Sequence, residues 1–215
     1  MIRPGSLVAA VGFGAVTVAV AATDPKTTAA RRYRALLAVV FGASALSYAG
    51  IGLGGETGRV MWLHYAEWLV GTPAYVAAVF LLTGEPRTVR LAVALDLLMV
   101  AAGLGAAVTA GARRFVLFGL STLALCGLFA LLVRSTGAGG WRSELYDSLE
   151  RLFVVVAPGY PVVWLLGVEG LGLVGAGATN LGFLVLDGVV KGGLLVLFVR
   201  RSPVFGRERG GTVAA

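Results

Sequence analysis

The chain has 215 residues, 58% of them hydrophobic and only 13% charged, with 32 glycines and a formal charge of +7. A water-soluble domain of this length needs far more charge to cover its surface, so a soluble fold is excluded. The basic residues lie between long apolar runs and form no patch interleaved with aromatics, which excludes a nucleic-acid partner.

Seven apolar segments can be marked by their flanks, at roughly 5–23, 33–53, 60–83, 88–109, 114–134, 148–168 and 178–200. Each is long enough, at about 20 residues, to cross roughly 30 Å of hydrocarbon as a helix. The first segment has no long basic lead and reads as a span, although the small residues at its end imitate a leader-cleavage site. Cys126 is the single cysteine and lies in an apolar run, so no intramolecular disulfide can form. The connectors carry breakers and charges: DPKTTAARR, GGETGR, GEPRT, AGARR, RSTGAGGWRSELYD and a glycine-rich stretch around 170–177.

Alternate connectors differ sharply in charge. Lys26, Arg31, Arg32, Arg34, Arg87, Arg90, Arg134, Arg142, Arg151, Arg200, Arg201, Arg207 and Arg209 fall on one side, and only Arg3, Arg59, Arg113 and Arg114 on the other. The positive-inside rule assigns the rich side to the cytoplasm. The expected fold is therefore an all-α bundle of seven transmembrane helices, N-terminus outside and C-terminus cytoplasmic. Residues 1–215 form one multi-pass domain of the cell membrane, with the lipid bilayer as a partner. The abundant glycines allow close helix–helix approach.

Glu67, Asp96, Asp187 and Lys191 are left inside the spans, and His64 sits near the outer end of the third. A charge at the bilayer centre costs about 2.5–3.5 kcal/mol on insertion scales, so each needs a reason. Asp187 and Lys191 are four residues apart, on one face of the seventh helix. A buried ion pair holding the bundle is the plain reading. Against it, Lys191 is the one lysine within a span, and a desolvated lysine becomes a nucleophile toward an aldehyde. Glu67 adds a second carboxylate, which a simple pair would not need.

Three segments carry a resemblance. HYAEWLVGTPAY (64–75) resembles the retinal-contacting third helix of the microbial rhodopsins, GYPVVWLLGVEG (159–170) their sixth-helix motif, and LDGVVKGG (186–193) the seventh-helix motif that bears the retinal lysine. Weaker likeness runs through RRYR…Y (31–48), LDLLMVAAG (95–103) and RRFVLFGLST (113–122), so nearly the whole chain is covered. The chain is similar to the bacteriorhodopsin-like archaeal branch, as a divergent member. This resemblance implies retinal bound as a Schiff base on Lys191, with Glu67 as primary and Asp187 as second counterion. It places Trp68 and Trp164 on either side of the polyene, and Tyr65, Tyr160 and Pro161 in the pocket. Thr72, Met99, Gly103, Phe118, Ser121 and Leu125 would surround the chain and ring. Tyr48 would reach toward the counterions, and Asp96 matches a protonated acid bonded to the neighbouring helix. A homo-oligomer and a signal transducer are further partners of this kind of protein. Trp62 and Trp141 read as interfacial anchors.

Several positions depart from a proton pump. The cytoplasmic proton donor is replaced by Ala78 and its polar partner by Leu37. On the outer side the family's arginine is His64, and of the two release acids Glu169 is kept while the other becomes Thr179. Glu67 replaces an aspartate and Gly71 the threonine that bonds it. A neutral His64 would leave surplus negative charge beside Lys191, relieved by a proton on His64 or on Glu67, so a pH-dependent colour change controlled by Glu67 is expected. The plain reading of His64 is a partly solvated histidine at the membrane edge. Ala157, followed by Pro158, stands where a tryptophan packs over the polyene, and Tyr75 is expected to supply the missing volume.

The leading reading is a photosensory protein, or one with a slow or atypical photocycle. An outward proton pump is the alternative within the family. Outside it stand a small seven-helix transporter using Glu67, Asp187 and Lys191, and a membrane scaffold whose buried ions only specify packing. No nucleophile–base pair, metal cluster or phosphate loop points to an enzyme.

Overall fold

The computed structural model describes residues 2–54 and 57–202. Arg207 and Arg209 on the basic side, and the side chain of Arg3 on the other, lie outside what is described. Within it every regular element is helical: α1 (Ile2–Ala21), α2 (Thr28–Gly54), α3 (Thr57–Phe80), α4 (Pro86–Val108), α5 (Arg113–Arg134), α6 (Trp141–Val156), α7 (Gly159–Leu166) and α8 (Ala176–Arg201). In hydrocarbon a helix is the element that satisfies its own backbone groups. Seven helical stretches are long and apolar enough to cross a membrane, α6 and α7 together making the sixth.

Punctuation is local. A 3-10 turn, Leu81–Thr83, closes α3, and Gly84 takes φ 78° so that its N–H returns to the Leu81 carbonyl. Pro86 then opens α4 at its first turn, where the missing N–H costs nothing.

Three features differ from the sequence reading: the second span starts at Thr28, inside the DPKTTAARR stretch read as a connector, and the sixth departs in two ways. The sixth span starts at Trp141, inside the stretch read as a connector. Leu145, Tyr146 and Leu149 face the core while Glu144, Asp147 and Arg151 stay exposed, so the charges ride on the outer face of an amphipathic turn. The span is also interrupted at Ala157–Pro158, where proline has no N–H for the carbonyl four residues back. The chain resumes as α7 through a tighter bond from Tyr160 N–H to the Ala157 carbonyl, 3.1 Å.

α1 is packed into the bundle. Phe13 stacks on Tyr48 of α2 at 5.8 Å and lies against Phe41. At the arginine-rich end, Ala138 N–H donates to the Leu82 carbonyl (2.9 Å) and Arg201 to the Glu144 carbonyl (3.2 Å). At the opposite end, Arg114 donates to the Glu169 carbonyl (3.3 Å). Toward the arginine-rich end the core is a cluster of Leu37, Phe41, Ala78, Leu128, Leu145, Leu149, Leu194 and Phe198, all essentially inaccessible. Trp141 packs edge-on to Tyr33, whereas Trp62 is 53% exposed.

Candidate functional site

Lys191 sits near the middle of α8 with Asp187 one turn before it, and Glu67 faces both from α3. Lys191 Nζ lies 2.8 Å from Glu67 Oε1 and 3.0 Å from Asp187 Oδ2, with all three side chains buried. Each carboxylate is held by further donors. Tyr48 of α2 donates to Asp187 Oδ2 (2.8 Å), and Tyr160 of α7 donates to Asp187 Oδ1 (2.7 Å). Ser44 of α2 donates to Glu67 Oε1 (3.1 Å). The Phe13 ring of α1 lies 5.8 Å from Nζ. Five helices therefore converge on one amine.

Glu67 and Gly71 are sterically coupled. A Cβ at Gly71 would lie 2.6 Å from Glu67 Oε1, closer than real Cβ atoms come. The longer acid thus folds back over Gly71, and a side chain there would have to displace its carboxylate. The two departures noted in the sequence are one packing solution.

From this trio a cavity of about 130 Å³ runs between α3, α4, α5 and the sixth span. Lys191 and Asp187 are on its wall, together with Tyr65, Trp68, Thr72, Tyr75, Asp96, Met99, Gly103, Phe118, Ser121, Leu125, Ala157, Tyr160, Pro161 and Trp164. Sequence reasoning had not named Val76, Val100, Thr122, Phe153, Phe183 and Val190, which also line it. The wall is mainly apolar. Trp164 stacks on Phe118 at 4.6 Å, and Trp68 sits edge-on to Tyr65 and Tyr160. Beside the buried Ala157, Tyr75 stacks on Phe153 at 5.8 Å, so two aromatics bound that part of the space. Thr72 Oγ1 is 2.9 Å from Asp96 Oδ2 and ties α3 to α4.

Glu67, Tyr48 and His64 are not on this wall. His64 is only 3% exposed, which corrects the reading of a partly solvated histidine at the membrane edge. Its Nε2 lies 2.9 Å from Asn180 Oδ1, and its ring stacks on Trp68 and meets Tyr48 edge-on. Asn180 was missed, although it lies seven residues before Asp187 on the same helix face, a visible signal. Ser44 was missed too, because a serine in a span bonds its own helix far more often than a partner; here its one hydroxyl hydrogen lies within reach of both the Val40 carbonyl (2.9 Å) and Glu67 Oε1 (3.1 Å). Ala78 and Leu37 are fully buried in the apolar cluster. Glu169 and Thr179 line a second cavity of about 40 Å³ with His64 and Asn180. Burial pushes the Glu169 carboxyl above its ordinary value, opposed by a backbone hydrogen bond.

A buried amine facing two carboxylates at the wall of an apolar cavity, inside seven membrane-length helices, defines a membrane protein built around one buried lysine. The family described as bacteriorhodopsin-like protein matches residues 4–202. The chain is 38% identical over 168 residues to bacteriorhodopsin-I of Haloarcula marismortui, covering 72% of this chain and 67% of the relative. It is 33% identical over 181 residues to sensory rhodopsin-1 of Halobacterium sp. strain SG1, covering 80% and 73%. It thus spans about two thirds of the first relative's length. The crystal structure of thermophilic rhodopsin from Rubrobacter xylanophilus superposes with a TM-score of 0.82 at 26% identity, covering 95% of this chain and 97% of that one. The chain belongs to the bacteriorhodopsin-like family of microbial rhodopsins, light-absorbing retinal proteins of the cell membrane.

Proposed function

We propose that this chain is a photosensory retinal protein, or one with a slow and atypical photocycle, in which Lys191 Nζ holds retinal covalently. Glu67 and Asp187 are the counterions, and Tyr65, Trp68, Trp164, Tyr160 and Pro161 with the rest of the apolar wall hold the polyene. The observation that carries this reading is the position of Lys191, its Nζ within 3.0 Å of two carboxylates at the wall of a largely apolar cavity. The residues fit a long apolar aldehyde: one amine, aromatic walls, and a buried acid pair that keeps a nitrogen cation in place. When bound, retinal supplies visible absorption and an isomerisable polyene.

The residues divide the remaining work. Ser44 holds Glu67, and Tyr48 and Tyr160 hold both oxygens of Asp187, so neither acid is free to leave the nitrogen. Such preorganised groups fix the charge at Nζ without rearrangement. Glu67 Oε1, at 2.8 Å, is the acceptor for a proton leaving Nζ. Return of a proton from the arginine-rich side, which we take as cytoplasmic with the N-terminus outside, must pass the cluster around Leu37 and Ala78. That cluster offers tyrosine hydroxyls but no carboxyl. General acid–base help typically contributes about 10²–10⁴-fold, so its absence slows the return step. A slow return suits signalling to a transducer better than sustained transport. The chain is not an enzyme in this reading, and residues 1–215 act as one domain.

The test is the pH of a suspension of retinal-supplied cells under illumination, with and without a protonophore. A visible pigment with no sustained acidification is expected. Protonophore-sensitive acidification as strong as that of a dedicated pump would replace the sensory reading by outward proton pumping.

A further inference from the structure

The second cavity lies behind the trio, on the side away from the arginine-rich end, and has its own polar chemistry. Its wall carries His64, Asn180, Thr179 and Glu169 beside Tyr65, Trp68 and Trp164. Four polar atoms among these residues are buried with no hydrogen-bond partner among the described residues: the indole nitrogens of Trp68 and Trp164, which can only donate, and His64 Nδ1 and Glu169 Oε2, which can take part in proton transfer. A buried polar group without a partner is costly, so water is expected wherever there is room. One water needs roughly 10–15 Å³ measured this way. The cavity's 40 Å³ is room for two or three.

The histidine tautomer follows from its partner. Asn180 Oδ1 can only accept, so the hydrogen in the 2.9 Å contact is on Nε2. A neutral His64 then carries its bare lone pair on Nδ1, the nitrogen with no partner. The ring is thus held by one nitrogen and open to a proton on the other. Charged and titratable groups face it from each packed element. They are Tyr48 from α2, Tyr65 on its own helix, Asp187 and Lys191 from α8, and Glu169 from the connector before α8.

We propose that His64 and the water of this cavity form a proton-holding site: Nδ1 binds the proton that leaves the trio, and the water carries it on to Glu169. The inference rests on the retinal reading of Lys191 and extends it to the outer half of the bundle. The charge balance is simple. Losing a proton at Nζ leaves two carboxylates without a cation, and gaining one at Nδ1 restores a cation beside them. Release to Glu169 then returns a neutral ring. His64 in this scheme replaces a permanent cation by one that comes and goes, with Asn180 fixing which nitrogen does the work.

His64 is the single histidine of the chain, so uniform labelling of histidine with nitrogen-15 reports this one ring. The experiment follows the labelled full-length pigment by magnetic resonance and light-minus-dark infrared difference spectroscopy. Expected is a dark ring with hydrogen on Nε2 only, an imidazolium under illumination, and at least a tenfold slower decay of that imidazolium in Glu169→Gln. In His64→Gln, a pH-indicating dye in the medium should report delayed proton release from a pigment that still forms. A ring that stays neutral throughout the photocycle, or carries its dark hydrogen on Nδ1, overturns the proposal. So does an imidazolium whose decay ignores Glu169→Gln. The retinal reading fails separately, by a visible band that survives Lys191→Ala.

Discussion

The two ends of the bundle solve different problems with the same helices. Beyond Lys191 toward the arginine-rich end, Leu37, Ala78, Leu145, Leu149, Leu194 and Phe198 close the interior. The cavity there is about 10 Å³, lined by Tyr75, Val76, Val79, Phe80, Leu128, Leu132 and Phe153. That is at or below the size one water needs, and the wall is apolar, so it stays dry. On the other side, the 40 Å³ cavity of His64, Asn180 and Glu169 has polar atoms awaiting partners. Lipid is as apolar as leucine, so the closed half is held by close packing more than by exclusion of water. The open half spends packing on groups that move charge. In the proposed reading, a proton leaves Lys191 toward the polar side more readily than it returns from the dry one.

The largest expected effect removes the point where the halves meet. Lys191→Ala should abolish the visible band entirely on addition of retinal. It also leaves Glu67 and Asp187 facing no cation, and an uncompensated buried charge costs about 3–5 kcal/mol. The purified variant should therefore melt well below the wild type unless a proton neutralises one acid. A surviving band would move the attachment elsewhere.

Next comes Glu67→Gln, which removes one of two negative charges at Nζ while keeping a polar group of the same size. The wild-type spectrum should move with falling pH toward that of the variant, because protonating Glu67 removes the same charge. The variant's own spectrum should be flat from neutral pH into acid. A colour change that persists in Glu67→Gln assigns the titration to another group of the cluster.

Ala78→Asp tests the dry half directly. A carboxyl placed in the apolar cluster should speed the return of the dark state by about a hundredfold, within the range of general acid help, as read by flash spectroscopy. No acceleration would mean that the limit lies in packing around Tyr75 and Phe153 rather than in the missing acid.

Gly71→Ala is smaller but sharper. The new methyl meets Glu67 Oε1 at 2.6 Å and must displace it from Lys191. Overpacking of this kind costs about 1–3 kcal/mol, and the pigment should shift in colour. Adding Glu67→Asp, which withdraws one methylene, should restore much of both. A double variant as impaired as the single one would show that the two positions are independent.

Much of this was visible in residue spacing. Seven apolar runs, the i and i+4 spacing of Asp187 and Lys191, and the asymmetry of the arginines are one-dimensional signals with a direct physical meaning. Residues 141–147 misled because their charges sit on one face of a turn whose other face is buried, and a count of charges ignores faces. Pro158 marks a break, yet in a membrane span a proline can also be accommodated, as Pro73 is within α3. Residues 67 and 191 meet across 124 positions of sequence, a distance no periodicity covers. The likeness of three motifs to known helices supplied that pairing. Ser44 has no such motif and emerges only from the packing of α2 on α3.

The weakest of these effects concerns a bond that neither half of the proton route needs. Thr72 Oγ1 lies 2.7 Å from the Trp68 carbonyl and 2.9 Å from Asp96 Oδ2. One hydroxyl hydrogen cannot serve both acceptors. The conflict disappears if Asp96 carries a proton: it donates to Thr72, and Thr72 donates to Trp68. On that reading Asp96 is a carboxylic acid that fastens α3 to α4 at the cavity wall. Thr72→Val should then cost about 1–3 kcal/mol, the loss of a partner for a buried polar group. At this chain length that lowers Tm by a few degrees. The infrared carbonyl band of the protonated acid should shift, with the pigment's return to the dark state unchanged. If Thr72→Val or Asp96→Asn instead slows that return severalfold, Asp96 takes part in proton transfer, and the two halves are linked through α4 as well as through Lys191.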